Sequence, residues 1–136
     1  MNVLHIPPTK RTPGVVYHPS KGVLKLKGNS SPENSVYFYD PLLKELSRKH
    51  YPESLKVEVS LYYFNTSSSK YLYDILKRLK LKTMNGTQVT VNWYYDVEDT
   101  DMLEIGEDYS DLLDLDFNFI EYDITNNRQQ SQATIA

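Results

Sequence analysis

The sequence predicts a single α/β domain: a mixed, mostly parallel β-sheet with helices packed against it and a β-hairpin on its N-terminal side. Three observations carry this reading. In SLKVEVSLYYFN, residues 54–65, apolar Leu55, Val57, Val59 and Leu61 alternate with polar neighbours, the period of a strand with one buried face. Immediately after it, Leu72, Ile75, Leu76 and Leu79 recur at helical spacing. A second alternating run, TQVTVNWYYD, then follows. A strand, a helix and a strand in that order require a crossover, and crossovers join parallel neighbours.

The other elements are read in chain order. Residues 1–12, with PPTKRTP, carry little pattern and predict a loose or extended lead-in. GVVYH, the turn residues PSKG and the run VLKLKG predict the hairpin. Ser30 and Glu33 have capping-box spacing, with Pro32 suited to a first turn. A helix is therefore expected over residues 33–51. Pro41 within it removes a backbone donor, which predicts a kink or two short helices meeting near Asp40. Lys77, Arg78, Lys80 and Lys82 suit the C-terminal dipole of the helix after the long strand, and Asn85-Gly86 should end it. DVEDTDMLEIGEDYSDLL begins as an acidic loop and predicts a short helix from about Gly106 to Leu113, with Gly106 itself a turn or lead-in. FNFIEYDI reads as the last strand. One domain is expected over residues 1–125, and a disordered tail over 126–136.

Composition narrows the chemistry. The chain has 136 residues, no cysteine and a formal charge of −3. Thiol catalysis, disulfides and cysteine-ligated metals are excluded. His5, His18 and His50 show no metal-ligand spacing, and neither a phosphate-cradling glycine pattern nor a Ser-His-Asp arrangement occurs. No apolar run approaches the roughly 20 residues of a membrane span, and no signal-peptide core is visible. The reading is a soluble cytoplasmic protein with no membrane or nucleic-acid partner. Its 12 tyrosines lie in or beside regular elements and are read as core rather than as a stacking platform, because the basic footprint of a nucleic-acid binder is missing. Charge is unevenly spread, however. Residues 1–95 carry 14 basic and 6 acidic side chains, whereas residues 96–136 carry 1 and 12. Asp96, Glu98, Asp99 and Asp101 therefore offer a candidate acidic partner surface. Their spacing is not that of an EF-hand loop.

Thr66, Ser67, Ser68 and Ser69 put four hydroxyls at the start of a helix. Capping by Asn65, Thr66 or Ser67 explains one of these residues. Serine is only a middling helix former, so capping does not explain the run. A second reading, beside capping, is a phosphorylation site: a phosphate at a helix N-terminus would meet free N–H groups and the positive end of the dipole. Lys70 lies one turn further on and is placed to help neutralise it.

GNSSPENSVYFYDPLL, LYYFNTSSSKYLYDIL and VNWYYDVEDTDMLEIGEDYSDLL, in this order, resemble the successive motifs of the SiaC-type regulatory phosphoproteins, a family formerly described only as a domain of unknown function. The resemblance runs from about Thr12 to Tyr122. It implies a STAS-like fold, no enzymatic activity and no cofactor. It further implies a partner-switching pathway: a serine/threonine kinase of histidine-kinase-like type adds a phosphate, a PP2C-type phosphatase removes it, and the unphosphorylated form activates an output protein, a diguanylate cyclase. The family's phosphoacceptor is the threonine of NTSS, which is Thr66 here, and Ser67 stands as a possible second acceptor. Asn65, Ser67, Ser68, Ser69 and Lys70 would then form the neighbourhood of the phosphosite. Ser30, Ser31 and Asn34 are expected to widen the partner face from an adjacent loop, since loops after parallel strands gather at one edge. Two competing readings are a divalent-metal-dependent enzyme and a constitutive protein-binding scaffold, each using the acidic segment over residues 96–108.

Overall fold

The structure, a computed structural model, describes residues 3–123; the tail expected over 126–136 lies outside them. Strands β1 (Leu4–Ile6), β2 (Gly14–His18), β3 (Val23–Ser30), β4 (Ser54–Phe64), β5 (Gln88–Asp96) and β6 (Asp116–Tyr122) form one sheet in sequential order. The first three pair antiparallel, and β3 to β6 pair parallel. Each parallel step is bridged by a helix: α1 (Ser35–Leu46), α2 (Thr66–Thr83) and α3 (Thr100–Leu113). Right-handed crossovers between sequential strands all fall on the same side of a sheet, and the burial pattern agrees. Leu24, Leu26, Val57, Val59, Val91 and Trp93 are buried beneath the helices. Lys25, Lys27, Lys56, Asn92 and Asn118 alternate with them on a face that no helix among the described residues covers. Full burial of each such aliphatic side chain stabilises the fold by about 1.5–3 kcal/mol.

Four sequence expectations need correction. The lead-in contains a strand: Leu4 and Ile6 pair with Tyr17 and Val15 and complete the sheet edge. Three residues are too few to show a period. Ser30 does not cap α1. It is the last residue of β3, paired with Phe64, and the cap is Asn34, whose Oδ1 accepts from Tyr37 N at 3.0 Å. Pro41 does not divide the helix, which runs unbroken from Ser35 to Leu46. The carbonyl that proline deprives of a donor belongs to Tyr37, four residues earlier, and Tyr37 is exposed, so water can serve it. Finally, α3 starts at Thr100 rather than near Gly106. Asp99 caps it by accepting from Met102 N at 3.0 Å, so Asp101 and Glu104 lie on a helix rather than in a loop.

Gly106 is an interior helical position. A Cβ there would sit 2.6 Å from Trp93 Nε1, and that indole N–H donates to Met102 O at 2.9 Å. The glycine lets α3 lie directly on the indole.

Candidate functional site

Strands β3, β4 and β5 run parallel, so their C-terminal ends meet at one edge of the sheet. Ser30, Asn65 and Asp96 stand there, at or just past the ends of the three strands. Asn65 is the cap of α2. Its Oδ1 accepts from Ser68 N at 2.9 Å and from Ser67 Oγ at 3.2 Å, while its own N–H donates to Ser30 O at 3.0 Å. The first intrahelical donor is Ser69 N, which reaches Asn65 O at 3.0 Å. The N–H groups of Thr66 and Ser67 precede that bond and point out of the helix end.

The four hydroxyls have different environments. Ser68 is fully buried; its Oγ donates to Ser30 O at 3.0 Å and accepts from Ser30 Oγ at 2.8 Å. Ser30 Oγ in turn is hydrogen-bonded to Tyr39 Oη, and with the serine proton already given to Ser68 the tyrosine is the donor. Burial raises the Tyr39 pKa, and the two serines pull in the opposite direction. Ser67 Oγ, its proton on Asn65, accepts from Ser35 Oγ at 2.7 Å, which ties the start of α2 to that of α1. Ser69 Oγ folds back onto Thr66 O at 2.8 Å, and Ser69 O accepts from Tyr109 Oη of α3 at 2.9 Å. Thr66 is exposed, and its hydroxyl has no hydrogen-bond partner among the described residues. Lys70, one turn on, is exposed too.

The structure thus brings Asn65, Thr66, Ser67, Ser68, Ser69, Lys70 and Ser30 together. Ser30 and Ser68 are interior groups, each 0% exposed, and Ser30 cannot widen a surface as the sequence suggested. Asn34 is exposed at the cap of α1, and Ser31 is half-buried with its N–H on Arg11 O at 2.7 Å. Sequence reasoning assigned the aromatic blocks to the core, yet Tyr37 is 82% exposed and Tyr63 56%, with Val36 also exposed beside Ser35. Two signals were available. Tyr63 follows the end of the clean alternation in β4, and Val36 and Tyr37 occupy a first helical turn, which projects beyond the packed layer.

The acidic residues share this edge. Asp96 Oδ1 accepts from Glu98 N at 2.9 Å, Asp99 is occupied as a cap, and Glu98 and Asp101 are exposed. Burial raises the Tyr122 pKa, with further rises from Tyr62, Asp96 and Asp99. Among the described residues no three His, Asp or Glu side chains converge in a way that could hold a metal ion. No helix among them is long and apolar enough to cross a membrane.

Comparison with known proteins agrees with the motifs. An uncharacterised protein of Pseudomonas aeruginosa (strain UCBPP-PA14) is 32% identical over 111 residues, which is 80% of this chain and 88% of the relative. The crystal structure of apo-SiaC from Pseudomonas aeruginosa superimposes with a TM-score of 0.80 at 30% identity, covering 88% of this chain and 99% of that one. The same score, identity and coverage hold for SiaC in the crystal structure of the Pseudomonas aeruginosa diguanylate cyclase SiaD in complex with its activator SiaC. The model of the SiaC family regulatory phosphoproteins matches residues 6–122, nearly the whole described domain, and the chain belongs to that family.

Proposed function

We propose that this protein is a non-enzymatic, cytoplasmic switch in a partner-switching pathway, with Thr66 as its phosphoacceptor. One observation carries the choice of residue. Of the four adjacent hydroxyls, three are engaged within the fold and only that of Thr66 is both exposed and without a partner. A kinase can take it without breaking a hydrogen bond.

The phosphate would add about −1.5 to −2 charges at neutral pH. The N–H groups of Thr66 and Ser67, the dipole of an 18-residue helix and Lys70 all favour it there. Val36, Tyr37 and Tyr63 give the unmodified edge an apolar character suited to docking, and a dianion in their midst opposes the desolvation that docking requires. The partner of the unphosphorylated form is a diguanylate cyclase, by analogy with the SiaD–SiaC complex. A serine/threonine kinase of histidine-kinase-like type and a PP2C-type phosphatase set the level of phosphorylation.

The test joins mass spectrometry to binding. The chain is incubated with a candidate serine/threonine kinase from its own genome, the phosphosite is mapped, and both forms are titrated against a diguanylate cyclase from the same genome. One phosphate on Thr66, with cyclase binding confined to the unmodified form, is the expected result. Phosphate elsewhere, or equal binding by both forms, refutes the switch at Thr66.

A further inference from the structure

The sheet face turned away from the helices carries a groove of about 540 Å³, within the range of small-molecule sites. Lys25 and Lys27 of β3 border it on one side, Glu58, Ser60 and Tyr62 of β4 run along it, and Tyr94 of β5 with Ile120, Glu121 and Tyr122 of β6 line the rest, so one further carboxylate, Glu121, faces it. It is separate from the hydroxyl cluster, which faces the helices.

Glu58 is the unusual group. Its side chain is only 17% exposed, and Oε1 lies 3.4 Å from Lys56 Nζ. Burial raises the Tyr94 pKa, and the Tyr94 hydroxyl, which donates toward the same carboxylate, is raised further by that bond. Oε2 is buried and has no hydrogen-bond partner of good geometry among the described residues. A buried carboxylate oxygen left unpaired is costly, and an ionised carboxylate can only accept. A ligand that fits must therefore bring N–H donors to Glu58, a flat ring to the tyrosines and negative charge to the exposed lysines. Guanine presents two adjacent donors, N1–H and the N2 amino group, on one edge. Adenine presents a donor beside an acceptor, and the acceptor would face a carboxylate lone pair. Aromatic side chains stack on bases, and paired lysines hold phosphate.

We propose that this groove binds a guanine nucleotide, with Glu58 accepting from the base edge, Tyr62, Tyr94 and Tyr122 offering ring faces, and Lys25 and Lys27 holding phosphate. The site is independent of the Thr66 switch. Titration calorimetry of the full chain with GTP, a cyclic guanine dinucleotide, ATP and inorganic phosphate tests it. Micromolar binding of a guanine ligand is expected, with ATP weaker by about tenfold or more. Tighter binding of the cyclic dinucleotide assigns the site to it, and tighter binding of GTP to the triphosphate; either supports the groove. Glu58→Gln exchanges an acceptor for a donor and should erase the preference for guanine. Lys27→Ala, at an exposed position, should weaken every nucleotide about tenfold with thermal unfolding unchanged. Equal affinity for ATP and GTP, no heat from either guanine ligand at about 1 mM, or unaltered guanine binding by folded Glu58→Gln overturns the proposal. Where Glu58→Gln fails to fold, unaltered guanine affinity in Lys27→Ala overturns it equally.

Discussion

Ser30 Oγ and Ser68 Oγ lie 2.8 Å apart in the interior, joining the end of β3 to the first turn of α2. The bond is one link in a closed chain from Tyr39 through Ser30 to Ser68 and back to Ser30 O. Removing a middle member strands buried polar atoms, which costs about 1–3 kcal/mol. Ser68→Ala is therefore expected to destabilise the protein by that amount in urea unfolding, and Ser30→Ala at least as much, because Tyr39 Oη also loses its acceptor. The double variant should cost less than the sum of the two, since both changes break the same link.

At the neighbouring surface, Asn65 and Thr66 should separate cleanly. Asn65→Ala removes the cap of α2 and is expected to cost about 1 kcal/mol. Thr66→Ala removes an exposed hydroxyl with no partner among the described residues and should change stability by less than about 0.5 kcal/mol. Only Thr66→Ala should abolish phosphate uptake from the cognate kinase. Denaturant curves and intact mass on the two variants check this pair of outcomes.

Gly106 tests how tightly α3 is seated. Alanine is favoured over glycine in a helix interior by about 1 kcal/mol. Here the added methyl would meet the indole of Trp93 at 2.6 Å, and Trp93 is fully buried with its N–H committed to Met102 O. Overpacking of this kind costs about 1–3 kcal/mol and should outweigh the propensity gain. Gly106→Ala is expected to lower the unfolding midpoint and to alter Trp93 fluorescence in the native state.

What the sequence disclosed followed the range of the interactions involved. Leu55, Val57, Val59 and Leu61 could be read as a strand because period two is local, and α2 for the same reason. β1 could not, because three residues have no period and Leu4 and Ile6 become a strand only against β2. At Ser30 a local rule gave way to a long-range one: its capping-box spacing lost to the parallel ladder with β4, and Asn34 took the cap. Lys82 was read only as a partner of the helix dipole, yet it is 2% exposed, with Nζ donating to Arg48 O and His50 O at 3.2 and 2.7 Å. The hydroxyl cluster itself stood out in the sequence. Which of its members are occupied did not, because Ser30 and Ser35 lie 38 and 32 positions away from their partners.

Alkaline pH should expose the buried tyrosines. Burial raises the pKa of Tyr17, with a smaller rise from Glu45, and burial also raises that of Tyr109 above the ordinary value of 10.0. Both stay protonated in the folded state at a pH where the unfolded chain has begun to lose those protons. Between pH 10.0 and the folded pKa the native state thus binds more protons than the unfolded state, and stability falls as pH rises. Their contribution is fully present below pH 10.0 and is lost through the folded pKa. Lys82 acts in the opposite direction: burial lowers its pKa from 10.5, so the cost of holding its charge inside is relieved as pH rises through the folded value. Tyr17→Phe isolates the tyrosine part. The stability difference between the native sequence and Tyr17→Phe should be flat below pH 10.0 and should shift in favour of the variant above it. Urea unfolding at a series of pH values, with tyrosinate absorbance read alongside, measures this directly. A difference that stays constant through the alkaline range would mean that Tyr17 ionises in the folded protein as it does in the unfolded one.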